Sequence, residues 1–134
     1  MKHHWLVAGV GCRRGCDATS LTALLDAALR AKGLPRAALC GLATLEAKAD
    51  EPALLALASA LGVPLVGYTV AQLAAYDDRL TQRSAIAWRT TGCHGIAESA
   101  ALAHCEAIGQ RPAVLYVPRR HNEQATLALA VSVA

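Results

Sequence analysis

Short apolar runs alternate with helical stretches along the chain. Trp5–Val10 is a compact apolar run rich in small and branched residues, the pattern of a buried strand. After Gly11-Cys12-Arg13-Arg14-Gly15-Cys16, residues Leu21, Leu24, Leu25, Ala28 and Leu29 recur at the spacing of one helix face. Asp17, Thr19 and Ser20 offer N-caps for that helix, and Gly33 followed by Pro35 stops it. Leu39–Leu45 predicts a second strand. The polar turn Glu46-Ala47-Lys48-Ala49-Asp50-Glu51 then leads into a second helix, with Asp50 as its cap and Pro52 in its first turn. Leu54, Leu55, Leu57, Ala58 and Leu61 run along that helix, and Gly62 and Pro64 end it.

Leu65–Tyr68 reads as a brief third strand. Thr69 and Gln72 have capping-box spacing for a short helix reaching Tyr76. The stretch from Asp77 to Arg83 is polar, and Ile86–Trp88 predicts another strand. Thr90-Thr91-Gly92-Cys93-His94-Gly95 is a turn ahead of an alanine-rich helix from Ile96 to Ile108, stopped at Gly109. Val114–Val117 is a strand bounded by Pro112 and Pro118, and Arg119-Arg120-His121-Asn122-Glu123-Gln124 is a polar loop. Leu127, Leu129, Val131 and Val133 then alternate with small residues, the period of a strand. Strands separated by helices predict an α/β fold, a three-layer α/β/α sandwich on a mainly parallel sheet. The last two strands lack a helix between them and predict an antiparallel pair near one edge.

Composition narrows the class. The 134 residues are 54% hydrophobic and 17% charged, which suits one domain, residues 1–134, with a substantial core. No run approaches the ~20 apolar residues of a membrane-spanning helix. The first apolar segment is too short, and its glycines too early, for a secretory signal, so the expected setting is the cytoplasm. Thirteen basic against ten acidic residues give a net charge of +3, without the dense basic stripe of a duplex-binding surface. Aromatics are 4%, with no Phe, so base-stacking platforms are scarce. Neither nucleic acid nor a membrane is an expected partner.

The cysteines Cys12, Cys16, Cys40, Cys93 and Cys105 are odd in number and match no zinc spacing, so neither a disulfide framework nor a metal site is expected. Cys40 and Cys105 read as small core residues. Cys12, Cys16 and Cys93 lie in glycine-rich turns, with a structural role favoured over a nucleophilic one. His3, His4, His104 and His121 read as surface residues.

In open α/β sheets ligands collect beyond the carboxyl ends of the strands. The unusual polar residues of this chain fall on those loops. Gly9-Val10-Gly11-Cys12-Arg13-Arg14-Gly15 leaves the first strand and opens the first helix, where free backbone N–H groups favour an anion. Two adjacent arginines add donors suited to carboxylates or phosphates. A dinucleotide fingerprint is the rival reading, but Arg14 stands at the third-glycine position, and no acid follows at the usual offset of ~20 residues. The Lys48-Ala49-Asp50-Glu51 turn, Gly92-Cys93-His94-Gly95 with Glu98 behind it, and Arg119-Arg120-His121-Asn122 complete the cluster. Capping and helix-dipole roles also account for Asp50, Glu51 and Glu98.

These loops, in their order, resemble a known family. Gly9-x-Gly11-Cys12-Arg13-Arg14-Gly15, Lys48-Ala49-Asp50-Glu51, Gly92-x-x-Gly95-Ile96-Ala97-Glu98 and Ala125-Thr126-Leu127-Ala128 are similar to motifs of the CbiG C-terminal domain, part of the cobalt-precorrin-5A hydrolase. The family also has free-standing members of the CobE type, and this chain matches them in length. Two positions depart from its pattern: Ser99 stands where Pro is usual, and Glu123-Gln124 where Gly-Asn is common.

The resemblance implies a precorrin or corrinoid intermediate as ligand and no cofactor. Arg13, Arg14, Lys48, Arg119 and Arg120 would hold its acetate and propionate groups, with Gly11, Cys12, Gly15 and Asp50 as further substrate-binding residues. The family hydrolase opens a lactone on the contracted macrocycle. That chemistry would use Glu51 or Glu98 as base and N–H groups of the Gly11–Gly15 loop for the oxyanion. The chain lacks the module that precedes this domain in CbiG, so a carrier or accessory role stands first and hydrolysis second. A nucleotide- or phosphometabolite-binding enzyme is the third reading. Other corrin-biosynthesis enzymes and a second copy of the chain are the protein partners in view.

Overall fold

Apolar periodicity becomes a mixed α/β structure in the computed structural model, which describes residues 5–81 and 95–132. The strands are β1 (Leu6–Cys12), β2 (Leu39–Leu45), β3 (Leu65–Tyr68), β4 (Ala113–His121) and β5 (Ala125–Ser132). The α-helices are α1 (Ala18–Arg30), α2 (Pro52–Leu61), α3 (Val70–Ala74) and α4 (Ile96–Gly109). The expected strand Ile86–Trp88, together with Cys93 and His94, lies outside the described residues, as do His3 and His4. Among the described residues no helix is long and apolar enough to cross a membrane.

The five strands form one sheet in the order β3-β2-β1-β5-β4. β1 pairs in parallel with β2, and β2 with β3, whereas β5 is antiparallel to both β1 and β4. The expectation of a mainly parallel sheet therefore needs correction. Four strands point one way, but β5 sits between β1 and β4, so half of the pairings are antiparallel. A hairpin explains this: β5 returns directly from β4 and inserts beside β1, an interior slot that local periodicity cannot reveal.

Each face of the sheet is covered. Leu6, Ala8, Val10 and Cys12 of β1 meet Leu21, Leu25 and Leu29 of α1 and Leu54 and Leu57 of α2 on one side. On the other, Val7, Ala43 and Ala130 meet Ala100, Ala101 and Leu102 of α4 and Leu73 of α3. That alternation along β1 is the period-2 rule at work. The alanines of α4 let its backbone approach the sheet closely, and Gly9 is where contact is tightest. A Cβ built there would lie 1.9 Å from the Ala97 carbonyl oxygen and 2.5 Å from the Ala101 nitrogen.

Local signals hold at several ends. Asp17 caps α1 by accepting from the Thr19 N–H at 3.2 Å. Thr69 and Gln72 form the expected capping box, although α3 ends at Ala74 rather than Tyr76. Asp50 does not cap α2: Glu51 takes that position and Asp50 is exposed, because a 3-10 turn over Glu46–Lys48 shifts the helix start by one residue. α4 includes Gly109 and stops at Gln110, which adopts a left-handed φ of 55°.

β4 runs through Pro118, so Arg119 and Arg120 belong to a strand rather than a loop. Proline is tolerated there because β4 is an edge strand among the described residues, and its register shifts on both sides of Val117. The sequence reading of His104 as a surface residue is also overturned. It is buried on α4 against Gly41, and its Nδ1 lies 2.7 Å from the Tyr68 hydroxyl. Cys12 and Cys16, expected in turns, are both buried in the core facing α1. Cys105 is buried and Cys40 partly so.

Two outcomes are expected. Gly9→Ala forces α4 away from β1 and costs about 3 kcal/mol, the upper end for overpacking, read as a lowered denaturation midpoint; wild-type stability would show that the helix can shift freely. Burial holds the His104 imidazole below its ordinary value. The unfolded chain therefore binds the proton more readily, and stability falls as pH drops below about 6.5, the ordinary histidine value. His104→Gln should flatten that slope in melts taken across this range; an unchanged slope would assign it to other groups.

Candidate functional site

The strand directions decide where the loops meet. β1, β2, β3 and β4 all point one way, so their carboxyl ends share one rim of the sheet. Gly11 of β1 pairs with Thr126 of β5, which pairs in turn with His121 of β4. The β1–α1 loop, the β2–α2 turn and the β4–β5 turn consequently stand side by side.

Gly11 and Cys12, expected in the loop, are the last residues of β1 and are buried. The exposed part is Arg13-Arg14-Gly15, with Gly15 at a φ of 73° that favours glycine. Hydrogen bonds fix this turn from three sides. The Arg13 N–H donates to the Gln124 carbonyl at 3.1 Å, and the Cys16 N–H to the Arg13 carbonyl at 3.1 Å. The Gly15 N–H donates to Oε1 of Glu51 at 2.6 Å. Just beyond, the Asp17 N–H donates to the side-chain oxygen of Gln124 at 2.5 Å.

Glu51 is the tie between the two loops. It is buried, and its carboxylate makes no capping bond to its own helix. Its side chain reaches instead across to Gly15, while its own N–H closes the preceding turn on the Lys48 carbonyl at 3.0 Å. Lys48, half-buried, is thereby set beside the arginine loop. The electrostatics of Cys12 report the same proximity. Burial, above all, pushes its thiol up to about 12, helped by its hydrogen bond with Cys16 and the negative charge of Glu51, while the Lys48 ammonium acts in the opposite sense. A thiol so held is a poor nucleophile at neutral pH.

Arg13, Arg14 and Lys48 make no salt bridge among the described residues, whereas Arg36 and Arg79 do, with Asp26 and Glu106. Two loops thus present cations at one rim, with no carboxylate paired to them among the described residues. Asp50 is exposed in the same turn.

The remaining candidates stand apart from the arginine loop. Glu98, in the first turn of α4, is buried and, among the described residues, accepts from the Thr81 N–H at 2.8 Å, the Thr81 hydroxyl and the Arg119 N–H at 2.9 Å. It fastens the edge strand to the helix. Arg119 and Arg120 lie on β4, toward the C-terminal end of α1.

Asn122 ends the Arg119-Arg120-His121-Asn122 stretch of the expected cluster, whereas Gln124 carries no sequence signal as a site-forming residue. Asn122 Oδ1 accepts from the N–H groups of Gln124 and Ala125, both at 2.9 Å, and its amide donates to the Ser20 carbonyl at 3.1 Å. That Asx turn closes the β4–β5 hairpin and presents Gln124 to the arginine loop. The available signal was Asn in a short polar stretch between two strands; nothing local points from Gln124 to Arg13.

Residues 6–130 match the family described as cobalamin synthesis G C-terminus. The chain belongs to that family. It is 42% identical over 125 residues to Protein CobE from Sinorhizobium sp, covering 93% of this chain and 79% of that protein. A crystal structure of CobE, a protein of the cobalamin (vitamin B12) biosynthetic pathway, superposes with a TM-score of 0.93 at 43% identity, covering 97% of this chain and 92% of the other. The cobalt-precorrin-5A hydrolase of Priestia megaterium is 31% identical over 97 residues, which are 72% of this chain and 25% of that enzyme. The chain is thus a family member of the cobalamin biosynthesis pathway, of CobE type, matching a quarter of the hydrolase.

The Glu51 tie has a measurable consequence. Glu51→Gln keeps an oxygen facing Gly15 and retains folding. Glu51→Ala removes a charge-assisted acceptor and costs about 1.5–3 kcal/mol, read by chemical denaturation. Equal stability of Glu51→Ala and wild type would show that the two loops are not held through this bond.

Proposed function

We propose that this family member binds an acidic corrinoid intermediate of cobalamin biosynthesis at the Arg13–Arg14–Lys48 rim, as a carrier or accessory factor. The observation that carries the reading is the set of cations from two loops, tied by the Glu51–Gly15 bond and without a carboxylate partner among the described residues. A macrocycle edged with acetates and propionates supplies those partners, and guanidinium groups bind carboxylates in two-point fashion. The proposed setting is the cytoplasm, with the ligand handed to another corrin-biosynthesis enzyme.

Hydrolysis is the second reading, favoured by the likeness to the hydrolase of Priestia megaterium. The carboxylates suited to activating water favour binding instead. Glu51 is engaged by Gly15, and Glu98 by Thr81 and Arg119. Loop N–H groups are similarly committed: Arg13 to Gln124, Gly15 to Glu51 and Cys16 to Arg13. A base that must first surrender its structural partner is poorly placed for general-base work.

Spectral titration with hydrogenobyrinic acid tests the proposal. Saturable binding is expected, weakened by added salt because the rim is solvent-facing. The double variant Arg13→Ala/Arg14→Ala should bind at least about tenfold more weakly, the factor that ~1.4 kcal/mol represents. Binding unaffected by the double variant would place the ligand elsewhere. Turnover of a precorrin lactone by the purified protein would favour the hydrolase.

A further inference from the structure

A regular strand shows alternate residues to opposite faces, so five successive residues do not line one cleft. In β4 they do. Tyr116 through Arg120 border an open cleft of about 440 Å³ flanked on its other side by Ala31 and Lys32, just beyond α1. The register shifts either side of Val117, together with Pro118 on the outer strand, break the alternation. Arg119 is fixed through its backbone, whose N–H donates to buried Glu98 at 2.9 Å.

The cleft is strongly one-sided in charge. Lys32, Arg119 and Arg120 line it, and no carboxylate does among the described residues. Lys32 is oriented: its ammonium stands 4.8 Å from the centre of the Tyr116 ring, within cation–π range. The carbonyl end of α1 carries partial negative charge, and Lys32 more than offsets it. Neither Lys32 nor Arg120 forms a salt bridge among the described residues.

We propose that this seam between α1 and β4 is a second anion site, separate from the arginine loop, for a ligand carrying two or more oxyanions. The size of the cleft suits a small organic molecule better than a single ion. Clustered carboxylates and a phosphate ester share this chemistry. The site uses neither Arg13, Arg14 nor Lys48, so it stands or falls independently of corrinoid binding at the arginine loop, and it separates Arg119 and Arg120 from that loop.

Amide chemical-shift mapping of the full chain tests it, with tricarballylate as the carboxylate probe and inorganic pyrophosphate as the phosphate probe. Saturable shifts centred on residues 31–32 and 116–120 are expected with at least one probe, and the stronger of the two identifies the source. Lys32→Glu/Arg120→Glu should weaken that binding by at least about tenfold, while Arg13→Ala/Arg14→Ala leaves it intact. Tyr116→Leu, which frees Lys32 without altering charge, should weaken it to a smaller extent and serves where the charge-reversed pair fails to fold. No saturable shift with either probe, shifts centred on residues 13–15 and 48, or binding that survives both Lys32→Glu/Arg120→Glu and Tyr116→Leu overturns the proposal.

Discussion

The carboxylate of Glu51 on the Gly15 N–H joins two loops that sequence and topology otherwise only bring near each other. Gathering Arg13, Arg14 and Lys48 at one rim is electrostatically unfavourable, by about 1 kcal/mol for two like charges 4 Å apart in water. The buried Glu51 carboxylate fixes the Gly15 end of the arginine loop to the start of α2, a geometric constraint on both loops. It also explains why Glu51 leaves its own helix uncapped: the side chain serves the neighbouring loop instead. The backbone that carries the arginines is therefore held in place, while their exposed side chains are left to be ordered by whatever they bind.

The sheet supplies the setting. With β5 inserted between β1 and β4, four strands still end at the same rim, and the β4–β5 turn is brought against the arginine loop. Gln124 and Asn122 complete that contact. Every tie is a backbone group satisfied by a side chain or carbonyl, which leaves the arginine side chains free of structural duty. The two glutamates that would serve hydrolysis are instead absorbed into this scaffold. On the proposed reading, the rim positions and binds a ligand rather than transferring a proton.

Much of this was legible in the chain. The apolar period of Leu21, Leu24, Leu25, Ala28 and Leu29, with Asp17 before it, located α1 and its cap because both signals are local. The glycine-flanked arginines and the Lys48–Glu51 turn pointed to one rim because strand-helix alternation fixes where loops emerge. What was not legible depends on distant partners. Pro118 read as a strand end because nothing local says that β4 is at an edge, where a missing N–H is harmless. His104 read as exposed because its burial depends on Gly41 and Tyr68, on other elements. Asp50 looked like the cap because a one-residue shift caused by the preceding 3-10 turn leaves no mark in composition.

The central claim is that the Glu51-braced loops receive the carboxylates of a corrinoid. A crystal structure of the protein grown with hydrogenobyrinic acid addresses it most directly. The account predicts macrocycle carboxylates within hydrogen-bonding distance of the Arg13 and Arg14 guanidinium groups and the Lys48 ammonium, with the Glu51–Gly15 bond intact. A macrocycle bound on another face, with the arginine loop empty, would contradict it.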